Sequence, residues 1–183
     1  MARLVPHSNF LRRFGRDRRG VSAVEFALLA PFMIALYLGC TEVSDGVGAQ
    51  RKVSLTAATV ANLAAQESAL NNAQMTTILN ASMAIVAPYN SSLLKIVVSG
   101  LTIDAKGKAT VDWSDAKNGA ALAKNATVTI PAALAVPGSY LVLSEVSFAY
   151  TPIVGNAITG TMTLTDKMYM TPRKSLTISR TAT

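Results

Sequence analysis

The sequence is poor in the residues on which many enzyme and metal sites depend. It has one cysteine, Cys40, and one histidine, His7, among 183 residues. A single cysteine excludes a disulfide within the chain and a metal site built from several cysteines. His7 lies in a basic tail, where a catalytic triad or a histidine metal site is not expected. The sequence also has no P-loop and no G-x-S-x-G motif, so it predicts no cofactor and no metal.

Charged residues are scarce as well, at 15% of the chain, whereas half of all residues are hydrophobic. The formal charge of +7 is concentrated in residues 1–20, which hold six arginines and one acidic residue, Asp17. A nucleic-acid-binding protein usually carries its basic residues on a folded face, with aromatic residues between them. The charge pattern therefore does not predict a nucleic-acid partner. A basic tail before an apolar run instead indicates the cytoplasmic flank of a membrane helix.

Only one run of the sequence is long and apolar enough to cross a bilayer, from Val21 to Thr41. Its 21 residues would form a helix of about 31 Å, which matches a hydrocarbon core of about 30 Å. Pro31 lies inside this run, where membrane helices tolerate a proline as a kink. Glu25 is the unexpected residue, because a charge at membrane depth costs about 2.5–3.5 kcal/mol. The sequence predicts one span, with the N-terminus in the cytoplasm.

The residues at the cytoplasmic edge of this run suggest a role for Glu25. The segment Gly20-Val21-Ser22-Ala23-Val24-Glu25-Phe26 resembles a type IV prepilin processing site, in which a peptidase cuts after the glycine. Such a cut would free the amine of Val21, which is largely cationic at neutral pH. Glu25 lies one helical turn later on the same face. Its carboxylate could then pair with the amine of a neighbouring subunit, which makes the charge tolerable in lipid.

The resemblance extends to one family, the TadE-like proteins of the tight-adherence (Tad/Flp) pilus system. It is carried by Arg16–Gly20 and Ala23–Pro31, by Glu42, by the aromatic-x-aromatic-x-Pro segment Phe148–Pro152, and by Pro172-Arg173. It implies a minor pilin or pseudopilin-like protein that is processed after Gly20 by a prepilin peptidase. The implied partners are this peptidase, other pilus assembly proteins, pilin subunits and the lipid bilayer. The implied location is the bacterial inner membrane, with a periplasmic or extracellular C-terminal domain. The resemblance leaves open whether the protein is incorporated in the pilus.

Two other readings of the N-terminus stay open. The sister TadG-like group shares these residues, and its members act as uncleaved membrane anchors or scaffolds, which would make the chain a binding module. Gly39-Cys40 resembles the end of a bacterial lipoprotein signal, although Tyr37 stands where that signal has leucine. An ordinary secretory signal is less compatible, because no A-x-A site follows the apolar run.

Beyond the apolar run the hydrophobic period predicts an α+β fold, with helices first and an antiparallel sheet after them. The first helix is expected to continue to Glu67 with an inward stripe, and Gly46 and Gly48 are its weak points. Asn71-Asn72 is expected to cap a second helix that ends before Pro88. The predicted strands are Leu93–Ile103, Ala109–Trp113, Thr127–Ile130, Tyr140–Tyr150, Thr161–Met170 and an edge strand at Leu176–Ser179. The predicted division is a basic leader (1–20), a transmembrane helix (21–41), a helix extension (42–69) and an exported α+β domain (70–183).

Acidic residues in the exported part raise two further possibilities. An exported enzyme would have to rely on carboxylates alone, for which Asp112, Asp115 and Glu145 are the candidates. A calcium loop would need the spacing D-x-[DN]-x-[DN]-G. The residues Asp104 to Gly119 depart from that spacing and include three lysines. Turn chemistry explains these residues better, and the sequence predicts neither an enzyme nor a small-molecule substrate.

Overall fold

The structure is a computed structural model that describes residues 19–156 and 160–181. Most of the predicted leader, including His7, lies outside these residues. The chain divides into two compact units between Val43 and Ser44. The helices are α1 (Arg19–Ala65) and α2 (Asn72–Met83). The strands are β1 (Ala69–Leu70), β2 (Leu94–Ile103), β3 (Ala109–Lys117), β4 (Thr127–Val128), β5 (Tyr140–Tyr150), β6 (Met162–Met170) and β7 (Ser179–Arg180).

The described residues of the first unit, 19–43, form the N-terminal part of α1, and their side chains are largely exposed. Large apolar side chains there face outward on every side of the helix, which is typical of a segment that lies in lipid rather than in a protein core. Examples are Phe26, Phe32 and Leu36, at 67%, 74% and 70% exposure. Among the described residues, only this helix, from Gly20 to Ala65, is long and apolar enough to cross a membrane. Pro31 lies within it without ending it, as predicted.

In the second unit, the C-terminal part of α1 lies in the hydrophobic core. Val53, Ala57, Val60 and Ala64 are fully buried, which confirms the predicted stripe with helical spacing. Gly46 and Gly48 do not break the helix. A Cβ at Gly48 would lie 3.3 Å from the Tyr89 hydroxyl oxygen, so the small residue lets an aromatic side chain approach. The helix ends at Ala65, two residues before the predicted Glu67.

Helix α2 begins at a capping box, as the two asparagines before it predicted. The Asn71 Oδ1 atom accepts from the Gln74 amide at 2.8 Å, and the Gln74 Oε1 atom accepts from the Asn71 amide at 3.0 Å. Both interactions satisfy amide groups that an uncapped helix would leave free. The residues that α2 buries are Met75, Ile78, Leu79 and Ser82, and they follow the predicted period.

The main sheet has five strands in the order β4-β3-β2-β5-β6, and all neighbours pair antiparallel. The predicted hairpin between β2 and β3 is present. Its turn is closed by Asp104, whose Oδ1 accepts from the amides of Lys106 at 2.8 Å and Lys108 at 2.9 Å. Gly107 adopts a φ of 78° in this turn, a conformation that glycine adopts without strain. These bonds are those of a turn-forming aspartate.

Both faces of the sheet bury apolar residues. One face packs against α1 and α2 through residues such as Ile96, Val142 and Phe148. The other face carries a second cluster, made of Leu101, Ile103, Ala109, Val111, Leu141 and Leu143. Partly buried residues of the segment that connects β3 to β5 cover it: Leu122, Ala126, Val128, Ile130 and Leu134. Strand β4 is two residues long instead of the predicted four, and Ile130 packs into this cluster without belonging to the strand.

The predicted edge strand at Leu176–Ser179 is wrong in both position and pairing. Strand β7 instead pairs parallel with β1 in a separate two-stranded sheet. Leu176 is 92% exposed, whereas Ile178 is fully buried, and the Ile178 carbonyl accepts from Trp113 Nε1 at 2.9 Å. Arg180 donates to both carboxylate oxygens of Asp115, at 2.8 and 2.9 Å. These contacts with residues distant in the sequence position the C-terminal segment. The alternation of hydrophobic residues within the segment does not determine its position.

Candidate functional site on the N-terminal helix

The predicted processing site lies on exposed helix. Because α1 begins at Arg19, the residues from Gly20 to Phe26 are all helical. Gly20 is exposed, and a Cβ added to it would meet nothing within 4 Å. Glycine weakens a helix relative to alanine, and neither a close approach nor a positive φ requires it here. Packing among the described residues therefore gives no reason for a glycine at this position.

Val21 and Glu25 lie four residues apart in α1, so they share one face of the helix. Val21 is 53% exposed and Glu25 is exposed. Among the described residues, the Glu25 carboxylate has no hydrogen bond and no ion pair. The structure thus presents a carboxylate and the residue that would become the new N-terminus side by side on an accessible surface.

The remaining predicted residues lie farther along α1. Pro31 is exposed, and Glu42 is half-buried. Cys40, which the lipoprotein alternative requires, is an exposed free thiol within the same helix. Thr41, at the end of the apolar run, donates its hydroxyl to the Leu38 carbonyl at 2.8 Å. The six predicted site residues therefore share one helix, and their roles depend on partners outside this chain.

Sequence reasoning missed a cluster at Asp45, which we call the Asp45 clasp: Asp45, Tyr89 and Tyr150. The Tyr89 hydroxyl donates to Asp45 Oδ1 at 2.8 Å, and the Tyr150 hydroxyl donates to Asp45 Oδ2 at 2.9 Å. The ring of Tyr89 also lies 5.9 Å from that of Phe148. The aromatic-x-aromatic-x-Pro segment thus fastens α1 to the sheet. Gly46 and Gly48, just after Asp45, were the local indication that other side chains pack closely against this part of α1; the nearest atoms belong to Tyr150 and Tyr89.

The Asp45 clasp makes the free energy of unfolding depend on pH in the alkaline range. Burial, with the hydrogen bond to Asp45 next, raises the pKa of Tyr89 from 10.0 to about 12. Between these values the folded protein keeps a phenol proton that the unfolded chain releases, so the free energy of unfolding falls as pH rises from about 10 towards 12. We expect the free energy of unfolding of Tyr89→Phe, measured by urea unfolding at pH 9 to 12, to fall less steeply with pH than that of the wild type. Equal slopes for both proteins would contradict this expectation.

The three carboxylates considered for an enzyme are engaged with separate partners. Asp115 pairs with Arg180. Asp112 accepts from the Tyr140 hydroxyl at 3.2 Å, and burial, with the Asp112 charge next, raises the pKa of that phenol. Glu145 pairs with Lys167 at 2.6 Å, and this hydrogen bond raises the pKa of the lysine. In the described ranges, no group of three or more Asp, Glu, His or Cys side chains could hold a metal ion.

Comparison with known proteins agrees with the resemblance seen in the sequence. The family model described as TadE-like protein matches residues 20–70. No curated protein and no solved structure matches the chain. The match begins at the glycine of the predicted processing site and runs through the apolar run, the helical stripe and β1. Residues 20–70 are therefore similar to TadE-like proteins, which confirms the resemblance seen in the N-terminal residues.

Proposed function

We propose that this chain is a minor pilin or pseudopilin-like component in the assembly of a Tad-type adhesive pilus, processed after Gly20 by a prepilin peptidase. The family match supports the general role in Tad pilus assembly. The finer role rests on one observation: Gly20 and the Val21–Glu25 pair lie exposed at the start of an apolar helix. This helix anchors the chain in the inner membrane. The second compact unit, from Ser44 onward, which we call the body, is exported.

Each residue of the site has a separate role in this proposal. Gly20 lets the peptidase approach the scissile bond, because it has no side chain. The new Val21 amine carries a positive charge at neutral pH. Glu25 neutralises that charge on an adjacent subunit, since a paired charge in lipid costs much less than an isolated one. Pro31 and Glu42 belong to the same assembling helix, which packs against other pilus subunits.

Intact-mass measurement and N-terminal sequencing of the full chain from its native membrane test the processing step. We expect an N-terminus at Val21, with the arginine-rich leader removed. Gly20→Leu should block the cut, because a branched side chain obstructs the peptidase. The helix itself has open space for this residue, so the variant should still fold. Gly39→Leu, which also has open space around it, is the matched control and should be cut normally.

The uncleaved anchor is the second candidate, and the size of the body favours it. Residues from Ser44 onward form a compact unit with two apolar clusters of its own, which suits a scaffold or adhesive binding module. In that case the native protein keeps Met1, and Gly20→Leu changes nothing. A lipid on Cys40 would instead select the lipoprotein alternative. Either result overturns the processed-pilin proposal.

A further inference from the structure

Strand β6 lies at one edge of the main sheet, and in the described ranges only β5 pairs with it. Its backbone groups that point away from β5 belong to every second residue, because residues of an antiparallel strand alternate in their bonding to the neighbouring strand. The Thr165 carbonyl is one of these groups, since it accepts from Gln50 Nε2 at 3.2 Å. The Lys167 amide is another, and it donates to Asp166 Oδ1 at 2.8 Å. The residues of this set, which we call the β6 edge, are Thr163, Thr165, Lys167 and Tyr169.

The register of the sheet gives the same assignment. The Ile103 amide donates to the Ser139 carbonyl, and the Ile103 carbonyl accepts from the Gly138 amide, both at 3.0 Å. The next such pair along β2 and β5 is Leu101 with Leu141. Odd-numbered residues of β5 thus bond to β2, and even-numbered ones bond to even-numbered residues of β6. The β6 edge has four residues with two backbone groups each, and all but the two bonded to side chains lack a hydrogen bond with the described residues.

On the face of the sheet that packs against α1 and α2, the apolar row of β6 is incompletely covered. The row of β5 on that face is fully covered, since Val142, Val146 and Phe148 are at most 3% exposed. The apolar residues of β6 that continue it are only half-buried: Leu164, Met168 and Met170. A further strand along the β6 edge would bond to the free backbone groups and would also cover this row.

Asp166 determines which strand fits. It pairs with Val146, so its side chain lies in the middle of this apolar row. Its carboxylate has no ion pair with the described residues. Lys167 does not neutralise it, because the lysine ammonium bonds to Glu145 at 2.6 Å on the other face of the sheet. A strand that removed Asp166 from water would therefore have to place a positive charge opposite it.

The β6 strand of a second copy does not meet this requirement. Its residues on the same face contain no basic side chain: Met162, Leu164, Asp166, Met168 and Met170. Pairing of two copies along this edge would bring two carboxylates into one apolar row without a cation. The complementary occupant is a strand in which a lysine or arginine stands between two apolar residues at alternate positions.

We propose that the β6 edge binds such an extended segment of another protein, which adds to the main sheet as an antiparallel strand. Its backbone would provide the hydrogen bonds, and its alternate side chains would provide the specificity. The basic residue would face Asp166, and the two apolar residues would face Leu164 and Met168. This surface belongs to the body alone, so the proposal goes beyond the proposed function and depends neither on cleavage nor on assembly of a pilus.

Peptide binding to the full chain in detergent micelles tests this proposal. The probe is the labelled peptide Thr-Ile-Thr-Lys-Thr-Ile-Thr, and binding is followed by fluorescence anisotropy. We expect it to bind about tenfold more tightly than the same peptide with glutamate in place of lysine, because opposite charges across a sheet attract and like charges repel. Asp166→Asn should abolish this preference. Glu67→Gln, which removes one negative charge outside β6, is the matched control and should retain it.

Methylation of peptide nitrogens tests the backbone contact separately. In the bound strand, the two threonines that flank the lysine direct their amides to the β6 edge, whereas the two isoleucines direct theirs away from it. N-methylation of these threonines should abolish binding, and N-methylation of the isoleucines should leave it nearly unchanged. Gln50→Ala, which frees the Thr165 carbonyl, should tighten binding.

Hydrogen exchange read by mass spectrometry locates the contact, and the bound peptide should slow exchange in the segment 162–170. Equal affinity of the lysine and glutamate peptides would overturn the proposal, as would equal effects of the two methylation patterns. Slower exchange of this segment at higher protein concentration without peptide would overturn it as well, because the edge would then bind a second copy of the chain.

Discussion

Glu25→Ala is expected to reduce the number of assembled pili by about one to two orders of magnitude while the chain remains folded. In the proposed assembly, the variant would leave the amine of a neighbouring Val21 in lipid without its counter-charge, where an unpaired charge costs up to about 2.5–3.5 kcal/mol. Folding should be unaffected, because Glu25 lies exposed on the helix with no bond to the described part of the body. Counting surface pili by electron microscopy in cells that express the variant measures the effect.

The matched control for this variant is Glu67→Gln, which also removes one negative charge. Glu67 lies beyond the end of α1, and within the described ranges its carboxylate makes one ion pair, a 3.9 Å contact with Lys174 between two partly exposed side chains. Its loss should therefore matter little. Equal amounts of both variants in the membrane fraction would show that expression is unchanged. Normal pili with Glu25→Ala would contradict the pairing of this carboxylate with a neighbouring amine.

Gly100→Ala should destabilise the body by about 2–4 kcal/mol. A Cβ at this position would lie 2.1 Å from the Tyr140 hydroxyl oxygen and 2.5 Å from Trp113 Nε1. Overpacking of this kind costs about 1–3 kcal/mol. Trp113 Nε1 also donates to the Ile178 carbonyl, and the Tyr140 hydroxyl shares its single proton between that carbonyl and Asp112 Oδ2, each at 3.2 Å. Moving the two aromatic groups weakens these hydrogen bonds, which are worth about 1 kcal/mol each when fully formed. Urea unfolding, followed by fluorescence of Trp113, the only tryptophan of the chain, gives the change in free energy.

Gly119→Ala is the control for this second variant. A Cβ at Gly119 would meet its nearest neighbours, on Lys95 and Val97, at 3.7 Å, an ordinary van der Waals distance. Its free energy of unfolding should stay close to that of the wild type. If Gly100→Ala unfolded at the same urea concentration as Gly119→Ala, the close approach of Tyr140 and Trp113 to the strand would not limit the residue at position 100.

The parts of the fold that the sequence predicted are those with local causes. The stripe of α1 and the cap at Asn71 each follow from residues within a few positions of one another. The Asp104 turn has the same kind of local cause, and so does the pattern at Gly20 and Glu25, which lets the candidate site be found before the structure. The family match over residues 20–70 covers the N-terminal part of this local information.

The parts that could not be predicted depend on contacts between distant residues. Tyr150 and Asp45 are 105 positions apart, and Arg180 and Asp115 are 65 apart. No local period marks such partners. The pairing of β1 with β7 involves two residues on each strand, too few for alternation to indicate a strand. The exposure of Ile153 likewise follows from where β5 ends and not from its own composition.

The Asp45 clasp has a mechanical consequence. When the apolar helix is pulled along its axis, the load enters the body at Ser44 and reaches the two tyrosine hydroxyls on Asp45 first. The next resistance comes from the row of small side chains between Val53 and Ala64, and the last from the Ala65 carbonyl bonded to Arg173. Tension is thus shared along some twenty residues of helix instead of being concentrated at one joint.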